Sequence, residues 1–375
     1  MSPLAKIAAA LTALLVLALA PAADARRTVP SQFMGMNWDG PVALAPEQVQ
    51  SSQFARMGAA GVEAVRTTFQ WSTAQPDDHG PIDLGPTDTF VGMAAAHRIE
   101  VLPIVTVAPP WARIVDAPQS APANPPDMVP FVQALVHRYG AGGSFWTDHP
   151  ELPKVPIRYW QFWNEPHLFF QWTLPPRQAG NWPGTYAAAL AVFHDAVKAA
   201  DPRAKVVLAG LSNQSPSYLT TLYKRGIRPN FDVVAIHPYT GTAAHVVELA
   251  RRIRVVMKHY GDARKPLWLT ELGLPSSRGR VNSKNTLQTT PRGMARFLTG
   301  SYKSLARTRR NPAIGVSRAF WYTWASEYSG DIFRYTGLFR YDGTGSAGAQ
   351  LAFGAYVQVA RLLEGCTKAS SGSCR

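Results

Sequence analysis

Two glutamates stand where apolar runs of the sequence break off. The stretch 157–166 reads Ile-Arg-Tyr-Trp-Gln-Phe-Trp-Asn-Glu-Pro and delivers Asn164 and Glu165 to its C-terminal end, and the run 266–270 is followed at once by Glu271. Two carboxylates carried by different strands can divide the work of proton transfer and attack, the pairing that cleavage of a glycosidic bond needs. Other strand-like runs bring further groups: Arg66 lies inside 62–71, His237 and Tyr239 follow 231–236, and Trp38, Trp111 and Trp324 stand at the ends of 33–37, 101–107 and 316–324.

Each residue also has a plainer reading. A glutamate at a strand end caps a following helix as readily as it does chemistry. A cation inside an apolar strand needs a charged partner, which leaves Arg66 open between a core ion pair and a site residue. His237 is open between a rim histidine satisfied by backbone and one that touches ligand or orients Glu165. Tyr239 either donates a hydrogen bond or only packs. Trp324 is the leading candidate for a platform under a sugar ring, with Trp38, Trp71, Trp111 and Trp172 behind it, and any of them also suits a core.

The elements that must hold these groups can be read from periodicity. Strand-like runs cover 33–37, 62–71, 101–107, 157–166, 205–211, 231–236, 266–270 and 316–324. Helical spacing covers 47–60, 86–97, 128–139, 186–200, 217–225, 243–260, 291–307 and 347–363. The run 101–107 is almost continuously apolar, as a parallel strand covered on both faces requires. Eight strands alternating with eight helices predict a single (β/α)8 TIM barrel over 26–375, with a doubly wound sheet as the other arrangement of the same alternation. In such a barrel the residues at strand ends share one rim.

Residues 1–25 hold one early lysine, an apolar run from Ile7 to Ala20 and a small-residue ending Ala23-Asp24-Ala25. That layout predicts a cleaved export signal and no stable membrane span. The expected location is therefore secreted or cell-envelope. Two cysteines, Cys366 and Cys374, close the chain, and in an oxidising compartment they are expected to form a disulfide that orders the tail by about 2–3 kcal/mol at most. The formal charge of +14 favours adhesion to acidic envelope polymers or membrane surfaces. Nucleic acid is not expected, since no recognised binding motif is present. A metal-dependent hydrolase needs several His and Asp ligands at strand ends. Only His237 qualifies, so no metal or other cofactor is expected.

Trp163-Asn164-Glu165-Pro166 on the fourth strand and Thr270-Glu271 on the seventh resemble the clan A glycoside hydrolases, the retaining barrel superfamily with catalytic acids on strands four and seven. Ala108-Pro109-Pro110-Trp111 after the third strand looks like family 39 and related exopolysaccharide hydrolases, with family 5 as runner-up lacking its usual nearby histidine. The resemblance implies Glu165 as general acid and base, Glu271 as nucleophile, and Asn164 as a hydrogen-bond partner of the sugar 2-hydroxyl. It also implies opposite ionisation of the two acids, which Arg66 and Tyr239 would support by stabilising the Glu271 anion. The implied activity is hydrolysis of a β-linked polysaccharide or glycoconjugate, and the aromatic rim loops favour internal cleavage. The alternative is a barrel that keeps a sugar cleft but serves as a binding or envelope scaffold protein.

Overall fold

The computed structural model describes residues 27–341, 343 and 347–365. The expected export signal and both cysteines lie outside the described residues. Parallel neighbours cannot be joined by hairpins, so every strand is followed by a crossover. The strands are β1 Met34–Asn37, β2 Ala64–Gln70, β3 Glu100–Thr106, β4 Tyr159–Phe162, β5 Lys205–Val207, β6 Val234–Ile236, β7 Leu267–Leu272 and β8 Val316–Trp321. The main helices between and after them are α1 Glu47–Ala60, α2 Gly85–Ala96, α3 Val129–Tyr139, α4 Trp182–Ala200, α5 Ser215–Tyr223, α6 Ala243–His259, α7 Pro291–Thr308 and α8 Leu351–Glu364.

The strands hydrogen-bond in the order β5-β4-β3-β2-β1-β8-β7-β6. Parallel bridges Val207–Val233 and Leu211–Ile236 join the two ends of that order into a barrel. This closure sets aside the doubly wound sheet: the chain folds as a (β/α)8 barrel. A small three-stranded sheet follows β8, formed by β9 Ala325–Ser326, β10 Phe339–Tyr341 and β11 Ala347–Ala349. Because 347–349 pairs with β10, the last helix begins at Leu351, later than periodicity alone places it.

Several strands are shorter than their apolar runs. β4 stops at Phe162 because the backbone turns left-handed at Trp163 (φ 62°) and again at Glu165 (φ 41°). Such angles are strained for side chains other than glycine and persist where the surroundings over-determine them. Here Trp163 N–H is bound by Val105 C=O at 3.0 Å and Glu165 N–H by Gly210 C=O at 3.2 Å. The run therefore ends in a fixed turn that swings Asn164 and Glu165 over the barrel mouth.

Side chains that alternate inward fill the barrel. The lower interior holds Ala64, Leu102, Val207, Val233, Ala235, Trp268 and Phe320, all buried. Gly35 on β1 is required there, since a Cβ at that position would lie 2.5 Å from the Phe320 ring. Outside the strands, α7 turns Met294, Leu298, Tyr302 and Leu305 inward, the spacing of an amphipathic helix seated on a sheet. Among the described residues no helix is long and apolar enough to cross a membrane.

Candidate active site

The upper end of the barrel interior is polar, above the apolar layer that holds Leu102, Trp268 and Phe320. Arg66, on β2, is buried and places its guanidinium at the centre of that end. Its Nε donates to Gln161 Oε1 at 2.7 Å, its Nη1 to Asn37 Oδ1 at 2.8 Å and Glu271 Oε1 at 2.9 Å, and its Nη2 to Asn164 Oδ1 at 2.7 Å. The planar fork of arginine suits such a set of fixed acceptors, and a point charge does not. The acceptors are themselves held: Asn37 Nδ2 donates to Thr270 C=O at 3.0 Å, and Gln161 Nε2 to Leu208 C=O at 2.9 Å.

Glu271 is buried on β7, with Oε1 bound by Arg66 and Oε2 accepting from Tyr239 Oη at 2.5 Å. Burial alone would raise its pKa, but the neighbouring His237 and Arg66 and the Tyr239 hydroxyl outweigh it and hold the carboxyl below the ordinary range. The Tyr239 hydroxyl is pushed well above its usual value by burial and by the Glu271 charge, so it remains a donor. Glu165, half-buried at the mouth, has one side-chain partner of this kind: His237 Nδ1 stands 3.0 Å from its Oε1. The same Nδ1 lies 3.6 Å from Glu271 Oε2, while Nε2 meets Thr270 Oγ1 at 3.0 Å. One imidazole thus stands between the two carboxylates.

The imidazole fits there because of Gly210. A Cβ at Gly210 would sit 1.8 Å from His237 Nε2 and 2.4 Å from Cε1. Beside the site, His167 stacks on Tyr218 with centroids 4.2 Å apart and shares 2.7 Å with Ser212 Oγ. Burial, and then the nearby His237, lower its pKa to about 3, so it is neutral at ordinary pH.

Arg66, Asn164, Glu165, His237, Tyr239 and Glu271 therefore meet at one place. Of the tryptophans named above, Trp38 borders that place and the others do not reach it. Trp324 is wholly buried, its Nε1 donating to Gln53 Oε1 at 3.1 Å and its ring packed on Phe339 at 4.8 Å. It presents no face to a ligand, because β8 ends at Trp321 and the chain after it leads into the small sheet, where Phe339 N–H bonds to Trp324 C=O. The rim position belongs to Tyr322, whose hydroxyl donates to Asp39 Oδ2 at 2.6 Å. Trp38 is 3% exposed, packs on Phe54 and lines the cavity described below. Trp111 is half-buried against Trp71, with Nε1 bound to Gln75 C=O at 3.2 Å. Trp71 and Trp172 are core residues.

A cavity of about 260 Å³ opens over Arg66 and Glu271, lined also by Asn37, Asp39, Asn164 and Tyr322. It shares Trp38, Asp39, Thr67, Thr68 and Gln70 with a larger groove of about 790 Å³ that runs outward past Leu44, Pro86 and Met93. Among the described residues no group of three or more His, Cys, Asp or Glu is placed to hold a metal ion.

Asn37, Gln161, Asp39, Gly210 and Tyr322 complete the site and were not singled out by sequence reading, and Thr270, quoted there only as part of a motif, proves to meet His237. Asn37 and Gln161 did carry a signal: each is an amide in or at the end of an apolar strand, as Asn164 is. Tyr322 was hidden by extending the eighth strand to Trp324.

A family model described as the glycosyl hydrolase catalytic core matches residues 120–350, more than half of the chain. The chain belongs to that family. It is a glycoside hydrolase. The fold of this glycoside hydrolase is similar to that of a family 39 glycoside hydrolase from Bacteroides cellulosilyticus WH2 (TM-score 0.66, 19% identity, 90% of this chain and 64% of that one). It is similar too to a monomeric β-xylosidase from Caulobacter crescentus CB15 (0.63, 18%, 89% and 69%) and a glucosidase from Croceicoccus marinus (0.62, 17%, 90% and 68%). The chain thus spans about two thirds of the length of these relatives. A comparison with curated proteins finds no match.

Proposed function

We propose that this glycoside hydrolase works by double displacement with retention, Glu271 as nucleophile and Glu165 as acid and base, in the manner of family 39. The observation that carries the assignment is the unequal supply of donors. Glu271 has Arg66, Tyr239 and a nearby imidazole, which favour its anion. Among the described residues Glu165 has the imidazole alone as a side-chain partner, and it stands at the mouth, where a leaving group exits.

In the first step a Glu271 oxygen bonds to the anomeric carbon as the glycosidic bond breaks, and the Glu165 proton goes to the departing oxygen. In the second, Glu165 takes a proton from water, whose oxygen displaces Glu271 and leaves the sugar hemiacetal with its original configuration. Both carboxylates reach the same His237 Nδ1, at 3.0 and 3.6 Å. That closeness is compatible with carboxyl groups about 5–5.5 Å apart, the separation used for retention. Asn164, fixed by Arg66 beside the acid, is positioned to bind the sugar 2-hydroxyl.

The substrate class we assign is a β-linked polysaccharide or glycoconjugate, met outside the cell after export. Internal cleavage is supported by the larger groove continuing from the small cavity, which gives a chain room to extend beyond the sugar being cut. The test is digestion of a glycan panel by the wild type, Glu165→Gln and Glu271→Gln, with a mechanism-based fluorosugar to label the nucleophile. Both variants are expected to lose cleavage, the label to fall on Glu271, and polymer size to drop before monosaccharide appears. Full activity in either variant removes that residue from its role. No label and no cleavage across the panel would favour a sugar-binding scaffold instead.

A further inference from the structure

The charge of the molecule is unevenly placed. Around the cavity the exposed charges are of both signs, with Asp39, Asp83 and Asp116 set against Arg278 and Arg334. The opposite end of the barrel, where helices return to strands, is different. Five consecutive connections, from the one entering β4 to the one entering β8, expose Arg158, Arg203, Lys224, Arg225, Arg264 and Arg310. Several carboxylates of that end are taken up locally: Asp232 holds Lys198 and Lys205 at 3.0 and 3.1 Å, Asp262 holds Arg228 and Lys265 at 3.1 and 3.0 Å, Asp148 pairs with Arg138, and Glu151 stands beside His149. At its edge a cavity of about 340 Å³ is lined by Arg27, Arg307, Arg309 and Arg310, with no carboxylate in its wall. Two of those guanidinium groups are fixed in place, Arg27 by Glu63 at 2.7 Å and Arg309 by the Thr28 carbonyl.

We propose that this end of the barrel docks on an anionic phospholipid bilayer, with the arginine-lined cavity receiving a headgroup phosphate and the catalytic mouth facing away from the membrane. The bases are spread over a whole face rather than along a track, which matches a planar field of charge better than a linear polymer. The exposed aromatics Phe169 and Phe170 lie in the loop after β4, on the catalytic side and away from the basic end, and stacking faces of that kind are what a sugar chain would use. Arginine binds phosphate oxygens through paired N–H groups, and basic clusters of this size are attracted to anionic leaflets. Attachment is peripheral and electrostatic, hence sensitive to salt.

The full chain would be sedimented with vesicles of phosphatidylcholine alone or of equal parts phosphatidylcholine and phosphatidylglycerol. Binding to the anionic vesicles and not the neutral ones, with release by added sodium chloride, is expected. The double variant Arg307→Glu/Arg310→Glu should lower vesicle affinity by about tenfold or more, and the pair Arg278→Glu/Arg334→Glu on the catalytic side should leave it unchanged. Thermal melts of both variants check that the fold is retained. Absence of binding to the anionic vesicles at low salt overturns the proposal, as does equal loss in both pairs. Retention on immobilised polyglutamate without vesicle binding also overturns it, in favour of a soluble polyanion.

Discussion

The barrel buries two arginine–glutamate pairs, one at each end, and they serve opposite purposes. At the catalytic end Arg66 meets Glu271 at 2.9 Å, with side chains 2% and 9% exposed. At the other end Arg318 on β8 pairs with Glu100 on β3, with side chains 8% and 12% exposed. Charge and burial are nearly alike. The surroundings differ: Arg66 spends its N–H groups on four polar side chains, of which Asn37, Gln161 and Glu271 are themselves anchored, and its glutamate faces a cavity. The Arg318 guanidinium lies over the rings of Tyr159 at 4.6 Å and Trp268 at 4.3 Å, and the pair closes the barrel floor. A buried ion pair is therefore no sign of chemistry by itself. The sign is a network that fixes one carboxylate as an anion and leaves it a place to act.

That comparison can be broken by making the same change at both ends. Arg66→Lys keeps a cation but loses the fork, so Asn37, Asn164, Gln161 and Glu271 lose their common centre. We expect kcat to fall about 10²–10³-fold, the range seen when one electrostatic element of a site is lost. Arg318→Lys should leave kcat within about twofold and cost about 1–3 kcal/mol of stability through lost ring contacts and a weakened pair. Steady-state kinetics and thermal melts of the two variants decide it, and equal losses of kcat would show that the floor pair also shapes the site.

Gly210 sharpens the catalytic half of the comparison. Gly210→Ala puts a methyl where the His237 ring lies, so the imidazole must leave the position between Glu165 and Glu271. We expect kcat to fall about 10²-fold on glycosides with poor leaving groups, where acid assistance matters. On dinitrophenyl glycosides, which need no proton, the loss of the first step should be much smaller. Equal losses on both would mean that the whole site, and not the placement of Glu165, has been disturbed.

Tyr239→Phe is a gentler change to the same carboxylate. Burial would raise the Glu271 pKa, and His237, Arg66 and the Tyr239 hydroxyl together lower it further than burial lifts it. With its folded-state pKa depressed, Glu271 stays ionised as pH falls past the ordinary carboxylate range, and activity is lost only below it. Removing the hydroxyl raises that pKa, so the acid limb of kcat/KM should move to higher pH, with a fall in kcat of about tenfold. An unmoved limb would detach it from Glu271.

How much of this was legible in the sequence follows from how each contact is specified. The barrel and the pair Glu165 and Glu271 are readable because alternation and strand ends are local features. Arg66 stood out because a charge inside an apolar strand must find a partner. The way His237 fits against Gly210 was not readable, since a glycine in a strand-end loop does not announce which ring occupies its missing Cβ. The left-handed turns at Trp163 and Glu165 were hidden as well, because those residue types suggest continued strand. Tryptophans misled for the opposite reason: a ring that suits a sugar also suits a core, and only the path of the backbone after Trp321 separates the two.

Trp324 gives the smallest expected effect and the cleanest test of that last distinction. It lies on Phe339 and, at 6.0 Å, against Phe353, with its N–H on Gln53, far more a part of the outer packing than of the mouth. Trp324→Phe removes the hydrogen bond and some volume from a filled site, which should cost about 1–3 kcal/mol. KM and kcat should stay within about twofold, because no ligand reaches the ring. Tyr322→Phe takes away a hydroxyl that lies at the cavity and holds Asp39. It should raise KM while barely changing the melting temperature. If the two variants exchanged these signatures, the eighth strand would have to deliver Trp324 to the rim after all.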